Sequence, residues 1–104
     1  MIYVVATVTL RTQARQRFLT EVARLQPEVL REDGCIEYTP ALDEASGLSR
    51  QIPLRPDVVT IIERWRDVAA LTRHSSAPHM ASFRQRVAEL VLATDLQVLS
   101  PAAT

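Results

Sequence analysis

The chain holds two glycines, Gly34 and Gly47, one cysteine, Cys35, and neither lysine nor asparagine. Two isolated glycines cannot build a glycine-rich phosphate loop or a dinucleotide fingerprint, which excludes a nucleotide or flavin site of that kind. A single cysteine excludes an internal disulfide. With no signal-peptide core and no run of about 18 apolar residues, a soluble, cytoplasmic protein with no membrane partner is expected. All twelve bases are arginine and twelve acids balance them, so no net charge draws the chain to nucleic acid or to an anionic membrane. The arginine usage reads as codon bias rather than as a set of phosphate clamps. At 104 residues, positions 1–104 are expected to form one domain.

What is present is strand and amphipathic helix. The stretch from Val58 to Phe83 holds the strongest strand, the only tryptophan, both histidines and two helix starts. Val58 to Trp65 is apolar on both parities until Glu63, as a central strand covered on both faces would be. Asp67 stands where an N-cap belongs, before a short helix broken by Ser75 and Ser76. Pro78 suits the first turn of another helix, in which Met80, Phe83, Val87, Leu90 and Val91 keep 3.6-residue spacing. Upstream, Ile2 to Leu10 alternates as a strand. Thr12 is a candidate cap for a helix running to about Glu32, with Phe18, Val22, Leu25 and Val29 on one face and a bend or break expected near Pro27. Asp33-Gly34 ends it, and Cys35 to Thr39 starts a second strand. Pro40 to Pro56 reads as irregular, with Ser49 to Ile52 as a possible edge strand. Asp95 to Leu99 makes a last short strand, and Pro101 to Thr104 should fray.

This order predicts an α+β fold: a ferredoxin-like antiparallel sheet with helices on one face. The helices cover only that face, yet the first and third strands are apolar on both. A second copy of the chain, in a two-fold homodimer, is the simplest cover for the other.

EDGCIEY at residues 32–38 and IERWRDVAAL followed by a histidine and APHMASF across residues 62–83 resemble the antibiotic biosynthesis monooxygenase family. The longer match, including GCIEYTPALDEASGLS and the ending LQVLSP, is most similar to its bacterial quinol monooxygenase branch and spans nearly the whole chain. The resemblance implies a dimeric α+β barrel with a pocket between sheet and helices in each subunit. It also implies oxidation of a small quinol or hydroxylated aromatic by O2 with no cofactor and no metal. The family includes haem-degrading members and an isomerase of a phosphorylated sugar. The haem-degrading set cannot be placed, because the chain has no asparagine and carries His74 and Arg84 where that branch has tryptophan and histidine.

Such chemistry needs a base that works near pH 7 and a dry, shaped cavity. Histidine supplies the base, with an ordinary pKa of about 6.5. His79, in the family's Pro-His position, ranks first as catalytic base. His74 ranks second, because the end of its helix favours the charged form. Trp65, Tyr38, Glu63, Thr7 and Phe83 are candidate substrate-binding residues, with Glu63 expected to pair with an arginine or, in a poorly solvated cavity, to have a raised pKa, and Thr7 to face either the cavity or the dimer seam. The five-residue spacing of the histidines is not that of a metal pair on one helix face, and Cys35 does not complete a site. Cys35 reads as a small buried hydrophobe, since its acidic neighbours would raise its pKa. Two alternatives stay open: an isomerase of a small phosphorylated carbonyl compound, with Arg50, Arg55 or Arg64 as clamp, and a non-catalytic dimeric binder of aromatic metabolites.

Overall fold

Strand β1, Ile2–Leu10, sits inside the sheet and shows why it forms: Ile2, Val4, Ala6, Val8 and Leu10 are buried while Tyr3, Val5, Thr7 and Thr9 are not. A period of two puts the first set under the helices and the second on the opposite face. The computed structural model describes residues 1–103. It comprises helix α1, Arg15–Leu30, and strands β2, Cys35–Ala41, and β3, Val58–Trp65, followed by helices α2, Val68–Ser75, and α3, Pro78–Val87, and strand β4, Val91–Leu99. The sheet order is β2-β3-β1-β4 and every pairing is antiparallel. This is the expected α+β, ferredoxin-like arrangement, with all three helices on one face.

The helix faces are where periodicity places them. Phe18, Val22, Leu25 and Val29 of α1 are each at most 1% exposed, and burying a side chain of this size is worth about 2 kcal/mol. Phe18 meets Phe83 of α3 edge to face, with ring centroids 5.8 Å apart. Asp67 caps α2 as expected, its Oδ1 accepting the Ala70 N–H at 2.9 Å, and Pro78 occupies the first turn of α3.

Several boundaries differ from the sequence reading. Thr12 does not cap α1: Gln13 takes a φ of 66° and its N–H bonds to Asp57 Oδ1, so the chain turns once more and Ala14 becomes the cap residue without a side-chain bond. Helix α1 runs unbroken past Pro27. Helix α3 stops at Val87, short of Leu90 and Val91. Val91 instead pairs with Leu10, after a register shift, and β4 begins four residues earlier than Asp95. Ser49 to Ile52 forms no edge strand. Residues 42–57 are held by local polar contacts, above all Arg55, whose guanidinium takes both Asp43 carboxylate oxygens at 2.9 Å. Pro101 to Ala103 are exposed and irregular, and Thr104, part of the end expected to fray, lies outside the described residues.

Gly34 joins α1 to β2 under two constraints. Its φ is +89°, and a Cβ there would stand 2.5 Å from the Ala70 Cβ of α2. Only glycine meets both demands without displacing α2.

Candidate functional site

Between the helical face of the sheet and helices α2 and α3 lies a cavity of about 610 Å³, within the range of small-ligand sites. Ala6, Val8 and Ile61 form its floor, and Leu71, Met80 and Phe83 contribute apolar walls. The apolar lining is set by strand alternation and by the inward stripe of α3. Its polar and ionisable groups are few: Tyr38, Glu63, His74, Arg84 and the hydroxyl residues Thr72, Ser75 and Thr94. One end lies beside β4, whose Leu96 lines it and is 62% exposed.

The two histidines converge on a residue the sequence reading did not single out. Glu32, just past the end of α1, places Oε2 2.8 Å from His74 Nδ1 and 2.8 Å from His79 Nε2. His74 is at the last turn of α2 and His79 in the first turn of α3, so one carboxylate ties three segments together. His74 lines the cavity; His79 is not among the lining residues. Burial holds the His74 imidazole below its ordinary value of 6.5, overcoming the opposite pull of Glu32. The buried ring is therefore neutral at pH 7, although the end of a helix alone would favour its charge.

Glu63 and Trp65 share the helical face of β3, as alternation requires. The expected arginine partner of Glu63 is absent among the described residues. Glu63 Oε1 instead accepts the Trp65 Nε1–H at 2.9 Å. Arg64, one residue along, points to the other face and pairs with Glu37 at 2.8 Å. Burial, reinforced by the charge of Glu32 against the single bond from Trp65, pushes the Glu63 carboxyl up to about 7. Trp65 is fully buried and stands behind the wall rather than on it, with its ring 4.6 Å from that of His74. Tyr38 packs on the same imidazole at 5.7 Å. Burial and the nearby carboxylates hold the Tyr38 phenol well above its usual range, so it keeps its proton and remains a hydrogen-bond donor.

Thr7 lies on the opposite, helix-free face of the sheet, beside Thr60 and Asp95, and so does not face the cavity. Phe83 lines the cavity. Cys35 is half-buried, and burial with the charges of Glu32 and Glu63 pushes its thiol up to about 11, which leaves it inert as a nucleophile. Of the arginines considered as a phosphate clamp, Arg55 is taken by Asp43 and Arg64 by Glu37, while Arg50 lies in the exposed 42–57 stretch. None of the three lines the cavity. The guanidinium that does is that of Arg84, which donates to the Ser75 carbonyl at 2.7 Å.

Comparison with known proteins agrees with this architecture. Residues 1–86 match the family model described as antibiotic biosynthesis monooxygenase. The chain is 38% identical over 87 residues to the Escherichia coli protein named "Probable quinol monooxygenase YgiN", covering 84% of this chain and 83% of that one. Among solved structures it is similar to Rv0793 from Mycobacterium tuberculosis, at 26% identity and a TM-score of 0.77 over 99% of this chain and 96% of the other. PA3566 from Pseudomonas aeruginosa shares the fold, with 24% identity and a TM-score of 0.79 over 98% and 94% of the two chains. The sheet order, the cavity under α2 and α3 and the match over the first 86 residues lead to one assignment: the chain belongs to the antibiotic biosynthesis monooxygenase family.

Proposed function

We propose that the protein oxidises a small quinol or hydroxylated aromatic with O2, without a cofactor, and that His74 is the base. The observation that carries this reading is the placement of a neutral, buried imidazole in the cavity wall with Nδ1 tied to Glu32. A hydrogen bond from Nδ1–H to the carboxylate leaves the Nε2 lone pair to take a proton from a substrate hydroxyl. The carboxylate then stabilises the imidazolium that forms, while the apolar walls exclude water. The aromatic anion is electron-rich enough to reduce O2 directly. Complete oxidation of a quinol sends two electrons and two protons to O2, giving quinone and hydrogen peroxide; in the monooxygenase variant the substrate supplies all four electrons, one oxygen atom enters the ring to give a hydroxyquinone, and the other leaves as water. Phe83 and Met80 offer a flat apolar surface to such a ring, and Tyr38 a hydroxyl donor to its oxygen. His79, the other candidate base, braces Glu32 in this scheme.

The working unit is proposed to be a cytoplasmic homodimer joined through the helix-free face of the sheet. That face carries Tyr3, Val5, Ile62 and Leu99, and residues 42–57 add Leu48 and Ile52, 71% and 58% exposed in the single chain. Apolar exposure on this scale is what a partner surface would cover.

The test is oxygen uptake with a reduced naphthoquinone. The protein should accelerate it, and His74→Ala should slow the enzymatic rate by about a hundredfold or more. A rate equal to the protein-free control across several quinols would refute the reading. Ligand-induced stabilisation without product would instead make the protein a binder of aromatic metabolites.

A further inference from the structure

Glu32, His74 and His79 come from three separate segments, yet their donor atoms Oε2, Nδ1 and Nε2 all lie within 4.8 Å of one another. Both ring nitrogens already stand 2.8 Å from the same oxygen. We infer that this cluster is a binding site for a borderline divalent ion of the zinc class, and that an ion bound there blocks the base.

Donor chemistry points to that class. Two imidazole nitrogens and one carboxylate oxygen form a three-ligand set on which Zn2+ completes a tetrahedron with water. Hard ions such as Mg2+ and Ca2+ prefer oxygen ligands throughout. Donors bound to one zinc at about 2.0–2.1 Å sit about 3.3 Å apart, so each imidazole withdraws from Glu32 by about half an ångström while the two ring nitrogens, within 4.8 Å of each other, close to the same spacing by side-chain rotation. The side chains of Glu32 and His79 are 13% and 22% exposed, that of His74 7%. The cluster is thus buried enough to be held in place and open enough, beside His79, for an ion and its water to enter.

The proton consequences follow from the two nitrogens of imidazole. Coordination needs the lone pairs at His74 Nδ1 and His79 Nε2, so in each neutral ring the proton moves to the other nitrogen. His74 then carries its proton on Nε2, the nitrogen left to face a substrate hydroxyl, and becomes a donor where the reaction needs an acceptor. Binding and reaction therefore exclude one another at a single ring. The blocking effect rests on the role proposed for His74; binding does not.

Binding is measured on the full chain by competition with a chromophoric chelator for Zn2+ and by the visible spectrum of added Co2+. The expected result is one ion per chain, with tetrahedral Co2+ bands that lack a sulfur charge-transfer feature. Glu32→Gln and His79→Gln should each weaken binding at least tenfold, while Cys35→Ser leaves it unchanged. Circular dichroism verifies that each variant is folded, and if one is not, the other carries the comparison. No binding by the folded wild type, binding as tight as wild type in the folded variants, or binding lost in Cys35→Ser would overturn the assignment. In oxygen uptake, stoichiometric Zn2+ should stop the wild-type reaction and a chelator restore it. Zinc that binds but leaves the rate intact would overturn the blocking role alone, and a metal-free rate equal to the protein-free control would overturn the quinol reading while the binding result stands.

Discussion

Replacing Glu63 by glutamine should make the protein more stable at alkaline pH and leave it nearly unchanged in acid. Glu63 is 5% exposed, accepts one hydrogen bond, from Trp65, and has its carboxyl raised from the ordinary 4.5 to about 7. Because the folded value lies above the unfolded one, the native state holds a proton that the unfolded chain has lost between these two pH values. Stability therefore falls as pH rises from the unfolded value through the folded one, and levels off above it. The gap corresponds to roughly 3 kcal/mol, a large share of the 5–15 kcal/mol typical of a domain. Glutamine keeps a carbonyl for the Trp65 N–H and carries no charge. Urea unfolding at fixed protein concentration, from about pH 4 to about pH 9, should give a wild-type-minus-variant difference that starts near zero and reaches about 3 kcal/mol in favour of the variant. Groups titrating alike in both proteins cancel. A difference that stays flat across the range would show that Glu63 is solvated or paired, and the argument from burial would fail.

Gly34→Ala should cost about 3 kcal/mol in chemical unfolding, because a left-handed backbone and a contact with Ala70 are both forced on the new methyl; a loss below about 1 kcal/mol would mean that α2 gives way freely. The acid limb of the oxygen-uptake profile should fall below the ordinary histidine value of 6.5, since burial lowers His74, and a limb above it would point away from that ring. Ile62→Glu, on the helix-free face, should convert the proposed dimer to monomer in sedimentation; a wild type that is already monomeric would remove the proposed interface.

Much of the architecture is local and so is readable along the chain. Alternation in Ile2–Leu10, the i, i+4, i+7, i+11 stripe from Phe18 to Val29 and the Asp67 cap each depend on neighbours within one element, and each takes the place its spacing implies. Boundaries that hinge on distant partners are less readable. Val91 continues the helical stripe in sequence but pairs with Leu10, because a free strand edge offers backbone hydrogen bonds that the end of a helix does not. Thr7 and Glu63 both lie on strands, and which layer faces each of them is settled by packing.

The candidate site divides along the same line. Composition and residue type marked the histidines, Tyr38, Glu63, Trp65 and Phe83 as the groups with chemistry to offer. Nothing in local spacing singles out Glu32, which is 42 and 47 residues from the histidines it joins. Their meeting depends on α1 ending beside α2, on Gly34 allowing that approach, and on the extended Ala77 that separates α2 from α3 and so places His79 near His74. Sequence alone dictated which side chains were available and which faces were apolar, since those follow from chemistry and periodicity. Folding dictated that one carboxylate would hold two imidazoles, and that burial rather than the helix end would set the charge of His74, since both depend on distances that close only when the layers pack.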